Sequence, residues 1–351
     1  MYNNSGYTPR QGDRPLLGQQ RPAPIPQTPE STEPISKLEK DMRWTGVLLV
    51  RQSEQRTSSN GSKFLDLTLA DKTGEINAKV WDGNAPVPEV GSLLKVRGSV
   101  IEWNGKLQLK IERMKEVQPE EVENMDSLVP SAPEKAEDLM AELELAVESI
   151  ANKELRDIVT ELIAQTGDKL LTFPAALKLH HAERSGLLYH TVSMLRIAET
   201  FIRLYPVLNA DLLRAGVIAH DLAKISELEC GKLGLVKEYT VEGQLIGHLV
   251  RGVVNIELAA KKVQAEGTAC LLLQHMVLAH HGVAEFGSPK KPMFPEAEIL
   301  NIIDNADARI DEMANTLIGI KGGAFSDRLW SLDRRLYKVE LDDQKSEEVN
   351  A

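Results

Sequence analysis

The chain is poor in the residues that would staple a small fold. Only 2 cysteines, Cys230 and Cys270, occur in 351 residues, and they form no C-x-x-C pair. That argues against a disulfide framework or a zinc ribbon and makes the reducing cytoplasm the expected compartment. No apolar run approaches the ~18 residues needed to cross a bilayer, and the N-terminal stretch has no signal-peptide apolar segment. A membrane-spanning or secreted protein is not expected. Aromatics are scarce too, at 5%, so the position of each one carries information.

Basic charge is also short overall, with 41 Lys and Arg against 52 Asp and Glu and a net charge of −11. The deficit is local. Residues 119–165 hold 13 acidic and 3 basic side chains, whereas residues 41–118 hold 12 basic and 10 acidic ones. A basic groove outside the acidic stretch therefore stays open, and the overall pI does not decide the partner.

Composition divides the chain. Residues 1–41 are rich in proline (7 of the 17 fall within the first 40 residues), with Gly, Gln, Ser and Thr, and read as a disordered tail. Residues 42–118 alternate apolar and polar side chains in five short runs: Met42–Val50, Lys63–Leu69, Glu75–Trp81, Leu93–Trp103 and Lys106–Val117. Asp71-Lys72-Thr73-Gly74 and Asn104-Gly105 are turn signals between them. Five strands in so short a span predict a small all-β barrel, with an OB-fold as first candidate. Such barrels carry single-stranded nucleic acid on a basic, aromatic face. Trp44, Phe64, Trp81 and Trp103 are the candidate stacking rings, about half of them expected to fill the core instead. Lys79 and Arg97, with Lys95, Lys106 and Lys110, are the candidate phosphate partners.

Residues 119–165 read as an acidic linker followed by one or two amphipathic helices, with Leu139, Leu143, Val147, Ile150, Leu155, Ile158 and Leu162 at helical spacing. Residues 166–340 read as an all-α bundle, and 341–351 as a second disordered tail. Expected helices include Gly186–Leu204, Ala210–Ile225, Cys270–Ala279 and Glu296–Met313.

All 8 histidines lie between His180 and His281. That confinement, alongside well-placed aspartates, points to a metal. The candidate ligands, in order, are His190, the adjacent His220-Asp221, His248, the pair His280-His281, and Asp304. Imidazoles and carboxylates without cysteine suit a hard or borderline divalent ion. Seven donors exceed one tetrahedral metal, so two ions are expected, with Asp221 as the natural bridge. Paired ions activate water and stabilise the attacking and leaving oxygens in phosphodiester hydrolysis. Lys224, three residues beyond Asp221, can neutralise a phosphate oxygen as charge develops. His275 reads as a core or surface residue, His181 as a residue that either orients the site or is merely structural. Asp307 competes with Asp304 as ligand. Lys290 and Lys291, in the loop past His281, are candidate RNA contacts. Asn209 and Asp211 read as helix-start residues.

An isolated His, an adjacent His-Asp and a late Asp resemble the HD-domain superfamily of metal-dependent phosphohydrolases. The flanking stretches His181–Thr191, Gly216–Lys224, Tyr239–His248, Gln274–Gly282 and Ile302–Ala308, placed after a barrel, resemble more closely the YhaM-type 3′→5′ exoribonucleases. The resemblance covers roughly residues 42–340 and favours Asp304 over Asp307. It implies a barrel that holds single-stranded RNA, with single-stranded DNA a second candidate, while the helical domain removes nucleotides from the 3′ end. It also implies manganese as the favoured ion. A homo-oligomer is compatible with it. Two positions depart from relatives in the superfamily. No Gly-Tyr-Pro follows His280-His281, which disfavours a cyclic-dinucleotide phosphodiesterase. Gly186 stands where some of those enzymes carry a glutamate, which disfavours a third metal. An HD nucleotidase acting on small nucleotides and a nonenzymatic single-strand-binding protein remain the alternatives.

Overall fold

The computed structural model describes residues 31–177 and 181–341. The expected tails at 1–30 and 342–351 lie outside the described residues. Five strands form the first unit: β1 (Arg43–Thr57), β2 (Lys63–Asp71), β3 (Gly74–Val80), β4 (Leu93–Trp103) and β5 (Lys106–Val117). They close into a barrel in the order β1-β2-β3-β5-β4, antiparallel except for β3 with β5. Alternation places Leu65, Leu67 and Leu69 inside, with Val80, Val96, Val100 and Leu109 from the other strands. At Asn104-Gly105 both residues have positive φ, 50° and 74°, the geometry of a two-residue hairpin turn. Asp71 Oδ1 accepts from the N–H groups of Thr73 and Gly74 at 2.7 and 3.1 Å, which fixes the β2–β3 turn.

Residues 31–41, expected to belong to a disordered tail, are instead placed against the barrel. Ile35–Lys37 form a 3-10 turn, and Leu38 is buried in the barrel core with Ile35 packed against it. These two apolar side chains, set among prolines, supply the burial that the segment's composition hid.

The helical unit begins with α1 (Ala136–Glu148) and α2 (Lys153–Thr166), then α3 (Gly186–Leu204), α4 (Ala210–Ala219) and α5 (Lys224–Glu227). A short hairpin, β6 (Leu228–Cys230) and β7 (Val236–Tyr239), leads to α6 (Val241–Leu245), α7 (Gly247–Val263), α8 (Thr268–Ala279) and α9 (Pro295–Leu317). A second hairpin, β8 (Phe325–Leu329) and β9 (Arg334–Tyr337), follows. The unit is thus mainly helical, not purely so. Asn152 and Asn209 cap α2 and α4, each accepting from an N–H three residues on at 3.0 Å. Leu139, Leu143, Ile158, Leu188, Val217, Leu273 and Leu300 meet in one core with essentially no exposed surface.

The expected helix Ala210–Ile225 is interrupted. After Ala219 the chain tightens into three-residue hydrogen bonds, Lys224 N–H to Asp221 O at 2.9 Å and Ser226 N–H to Ala223 O at 3.0 Å. His220, Asp221 and Lys224 lie in this tightened stretch, with Lys224 Nζ 2.6 Å from Asp221 Oδ2.

The acidic connector is not a free tether. Leu128 and Val129 pack with Leu49, Leu93 and Val117 of the barrel and Leu233 of the β6–β7 turn. Arg184 and Pro130 share a main-chain bond at 3.0 Å, and Ala132 N–H reaches Arg184 O at 2.9 Å. Leu233 is 5% exposed, so Leu233→Ala should cost about 2–5 kcal/mol where it anchors this junction. Limited proteolysis should then cut residues 119–133 faster than in the wild type while the helical core keeps its protection.

Candidate metal centre

α3 carries His190 on the same buried face as Leu187 and Met194. His220 and Asp221 follow α4, His248 opens α7, His280 and His281 end α8, and Asp304 lies midway along α9. Helix packing brings all seven together. His190 Nε2 is 3.3 Å from Asp304 Oδ1 and 3.3 Å from His220 Nε2. Asp221 sits between two groups of imidazoles. Its Oδ2 faces His220 at 3.3 Å and His190 at 3.9 Å. Its Oδ1 faces His248 at 3.5 Å and His280 at 3.6 Å. Within each of the sets His190/His220/Asp221 and His248/His280/His281, one donor atom per residue lies within 4.8 Å of the others.

The outer contacts fix where each ring points. His220 Nδ1 donates to Val217 O and His280 Nδ1 to Val277 O, both at 2.7 Å and three residues back. His281 Nδ1 donates to Phe286 O at 2.7 Å. His248 Nδ1 lies 2.9 Å from both oxygens of Glu227, and His190 Nδ1 lies 2.7 Å from Asp307 Oδ2. With Nδ1 held on its outer side, each ring presents Nε2 to the centre. This is the usual way a protein orients imidazole ligands. Asp221 Oδ1, His248 Nε2 and His280 Nε2 are buried and make no hydrogen bond. Buried polar atoms are rarely left so, and these are cation-ligating types aimed at one space. The residues present fit a divalent cation.

Charge reinforces the fit. Burial alone would raise the Asp221 carboxyl, but Lys224 and His220 hold it well below the usual carboxylate range. Burial opposes ionisation of Asp304 too, and His190 overcomes it. Burial pushes His280 and His281 down, so both rings favour the neutral form a metal requires. Burial also opposes the His190 imidazolium, yet Asp304 and Asp307 raise it to about 9. A cation binding there takes the proton's place. Lys224 Nζ lies 2.6 Å from Asp221 Oδ2, and this carboxylate outweighs burial to keep the ammonium charged.

Asp307 stands on the far side of His190, away from the centre. It accepts from His190, from His181 Nε2 at 2.8 Å and from the Ser193 hydroxyl. It meets His190 on Nδ1, opposite the Nε2 that faces Asp304. His181 joins that outer layer, its main-chain N–H donating to Asp311 Oδ2 at 2.9 Å. A Cβ on Gly186 would lie 2.0 Å from His181 O, so that position admits no side chain. Glu227 was not foreseen; its one sequence signal is its place a turn beyond Lys224. His275 stands apart, accepting from Met293 N–H at 3.1 Å.

On the barrel, Trp44 does not serve as a stacking ring. It is 3% exposed, and its Nε1–H donates to Glu33 O at 2.8 Å; the ring covers Gly46, where a Cβ would lie 2.7 Å from it. Phe64 is largely covered because Trp81 stacks on it at 4.9 Å, with Lys79 Nζ 5.2 Å from its ring. Trp81 and Trp103 remain more than half exposed. Lys79 pairs in register with Lys110 across β3 and β5. Arg97 is half-buried on β4, and Lys290 and Lys291 are exposed beyond α8.

Comparison with known proteins agrees with this geometry. A family model of the OB-fold nucleic acid binding domain matches residues 46–117, and one of the HD domain matches residues 187–309. Barrel followed by HD domain is thus the class. A 3′-5′ exoribonuclease YhaM from Oceanobacillus iheyensis is 41% identical over 298 residues, covering 83% of this chain and 92% of that protein. Those of Geobacillus sp. and Shouchella clausii are 41% and 40% identical, each over 83% of this chain and over 90% and 92% of their own lengths. The chain belongs to the YhaM 3′-5′ exoribonuclease family.

The outer contacts generate a prediction. Asp307→Asn and Glu227→Gln should each weaken metal binding roughly 10–100-fold, the usual scale for such partners. Metal titration by calorimetry, with circular dichroism to confirm an unchanged fold, checks this.

Proposed function

We propose that this chain is a metal-dependent 3′→5′ exoribonuclease that hydrolyses phosphodiester bonds of single-stranded RNA. The observation that carries the reading is Asp221, whose two oxygens face separate sets of imidazoles while Oδ1 lacks any hydrogen-bond partner. His190, His220, Asp304 and one Asp221 oxygen would hold one ion; His248, His280, His281 and the other oxygen would hold a second. The mixed imidazole and carboxylate donors suit manganese. Bound there, such ions lower the pKa of water and stabilise charge on both oxygens of a phosphoryl transfer.

The protein's own groups supply the rest. Buried Lys224 places a fixed positive charge beside Asp221, where it can meet a phosphate oxygen that gains charge. Trp81 and Trp103, with Lys79, Lys110 and Arg97, offer bases a stacking surface and phosphates a positive one. Lys290 and Lys291 would grip the strand near the centre. A nucleotidase would leave this barrel face without a task, and a nonenzymatic binder would have no use for seven converging donors. Two free thiols, Cys230 and Cys270, suit the reducing cytoplasm, where we place the enzyme. Among the described residues, no helix is long and apolar enough to cross a membrane.

Asp221→Ala should abolish hydrolysis with the fold intact, because packing rests on its apolar neighbours. Manganese-loaded protein and 5′-labelled RNA give the test: the wild type should produce a ladder shortening from the 3′ end, and the variant none. Free nucleotides and single-stranded DNA in parallel lanes define the substrate class. Lys224→Ala should lose on the order of 10²-fold in turnover while retaining its metal, because an ammonium is a poor metal ligand. Metal content and single-turnover rate on one preparation decide it. Loss of both in proportion would make Lys224 a support of the centre instead.

A further inference from the structure

Beside the metal centre, α9 and the turn after α8 line an open cleft of about 450 Å³. His281 lies at its edge, and Gly282, Phe286, Asn301, Asn305 and Arg309 complete the part that matters here. Asn301, Asn305 and Arg309 recur every fourth residue and so share one face of α9. Asp304 precedes Asn305 by one residue, so a single stretch of helix serves both the centre and the cleft.

The turn that carries Phe286 is fixed. Phe286 N–H donates to Val283 O at 3.1 Å and Gly287 N–H to Ala284 O at 2.9 Å. His281 N–H donates to buried Ser288 Oγ at 3.1 Å. Asn301 Nδ2 caps His280 O at 2.6 Å and stands 2.8 Å from where a Cβ on Gly282 would be, which keeps the cleft floor clear of side chains. On this rigid support the Phe286 carbonyl holds His281 while the ring is 66% exposed. A ring so held contributes nothing to the core and leaves an aromatic surface open. Arg309 is exposed and makes no ion pair among the described residues. Asn305 donates to Asn301 O at 2.8 Å, which fixes its amide orientation and leaves Oδ1 as an acceptor.

An open aromatic ring, a planar guanidinium and an amide acceptor next to a phosphodiester-cutting centre match the parts of one nucleotide. The volume lies in the range of small-ligand sites, the scale of a single nucleotide. Of the nucleotides flanking a cleaved bond, the one with no chain beyond it is the 3′-terminal one. We propose that this cleft seats the 3′-terminal nucleotide of the RNA, its base against Phe286 and its ribose and phosphate toward Asn305 and Arg309. The assignment rests on the exoribonuclease reading above, and it makes Phe286 and Arg309 determinants of substrate positioning.

The test uses full-length, manganese-loaded protein and 5′-labelled RNAs that are intact, abasic at the 3′-terminal nucleotide, or abasic at the penultimate one. Base-aromatic stacking predicts that removing the terminal base lowers wild-type kcat/KM on the order of tenfold. Phe286→Ala should lose about as much on intact RNA, and no more when the terminal base is also absent, since each change removes the same contact. Phe286→Tyr should retain the wild-type value. Arg309→Ala should lose on the order of tenfold, mainly through KM, on intact and abasic RNA alike. Manganese content should be unchanged in every variant. Losses that multiply, or a coupling that appears only with the penultimate base removed, would overturn the assignment. A wild type that leaves every RNA intact would overturn the exoribonuclease reading and this inference with it, whereas active wild type with multiplied losses removes the inference alone.

Discussion

A buried carboxylate holds the helical domain's functional geometry together. Asp221 is 2% exposed, and an ionised carboxylate in such a place is costly unless it is paired. Lys224 answers one of its oxygens directly, and the other looks into a set of imidazoles without a hydrogen bond. After α4 the chain continues in tighter turns, and Lys224, three residues beyond Asp221, lies on the same side as the carboxylate it meets. The local cost of abandoning helical bonds is limited by the three-residue bonds that replace them.

Around this anion the protein is layered. Inner Nε2 and carboxylate atoms converge; outer carbonyls and carboxylates hold Nδ1. The two layers draw on different sources. His220 and His280 are oriented by carbonyls of their own preceding helical turns, which requires only local structure. His190 and His248 are oriented by Asp307 and Glu227, which requires α3 to meet α9 and α5 to meet α7. Metal affinity in this domain is therefore a property of its tertiary packing as much as of its ligands.

How much of this was readable in advance follows from the same division. Strand alternation and Asn104-Gly105 are local signals, and the barrel was legible from them. The seven inner donors were legible because every histidine falls between His180 and His281 and because the spacing resembles a known family. Asp307 was visible only as a competitor of Asp304, since a three-residue helical spacing says that two carboxylates share a face and not which one reaches the centre; its bond to His190 Nδ1 was not foreseen. Glu227 had only its place a turn beyond Lys224 as a signal, a spacing many glutamates in short helices share. Trp44 was misjudged because alternation gives two faces to a strand without naming the inner one, and the chain before it, which covers the ring, had been read as disordered. The cleft at Phe286 depends on a turn whose hydrogen bonds no periodicity describes.

The barrel's closure has a consequence of its own. Because β1 pairs with β4 as well as β2, and β3 with β5, most main-chain groups of the strands are already taken within the barrel. A nucleic-acid strand laid across it would meet mainly side chains: rings with two usable faces and lysines on flexible stems. Such contacts have no register. They rest on base faces and backbone charge, which every nucleotide offers, and so favour no single position along a strand.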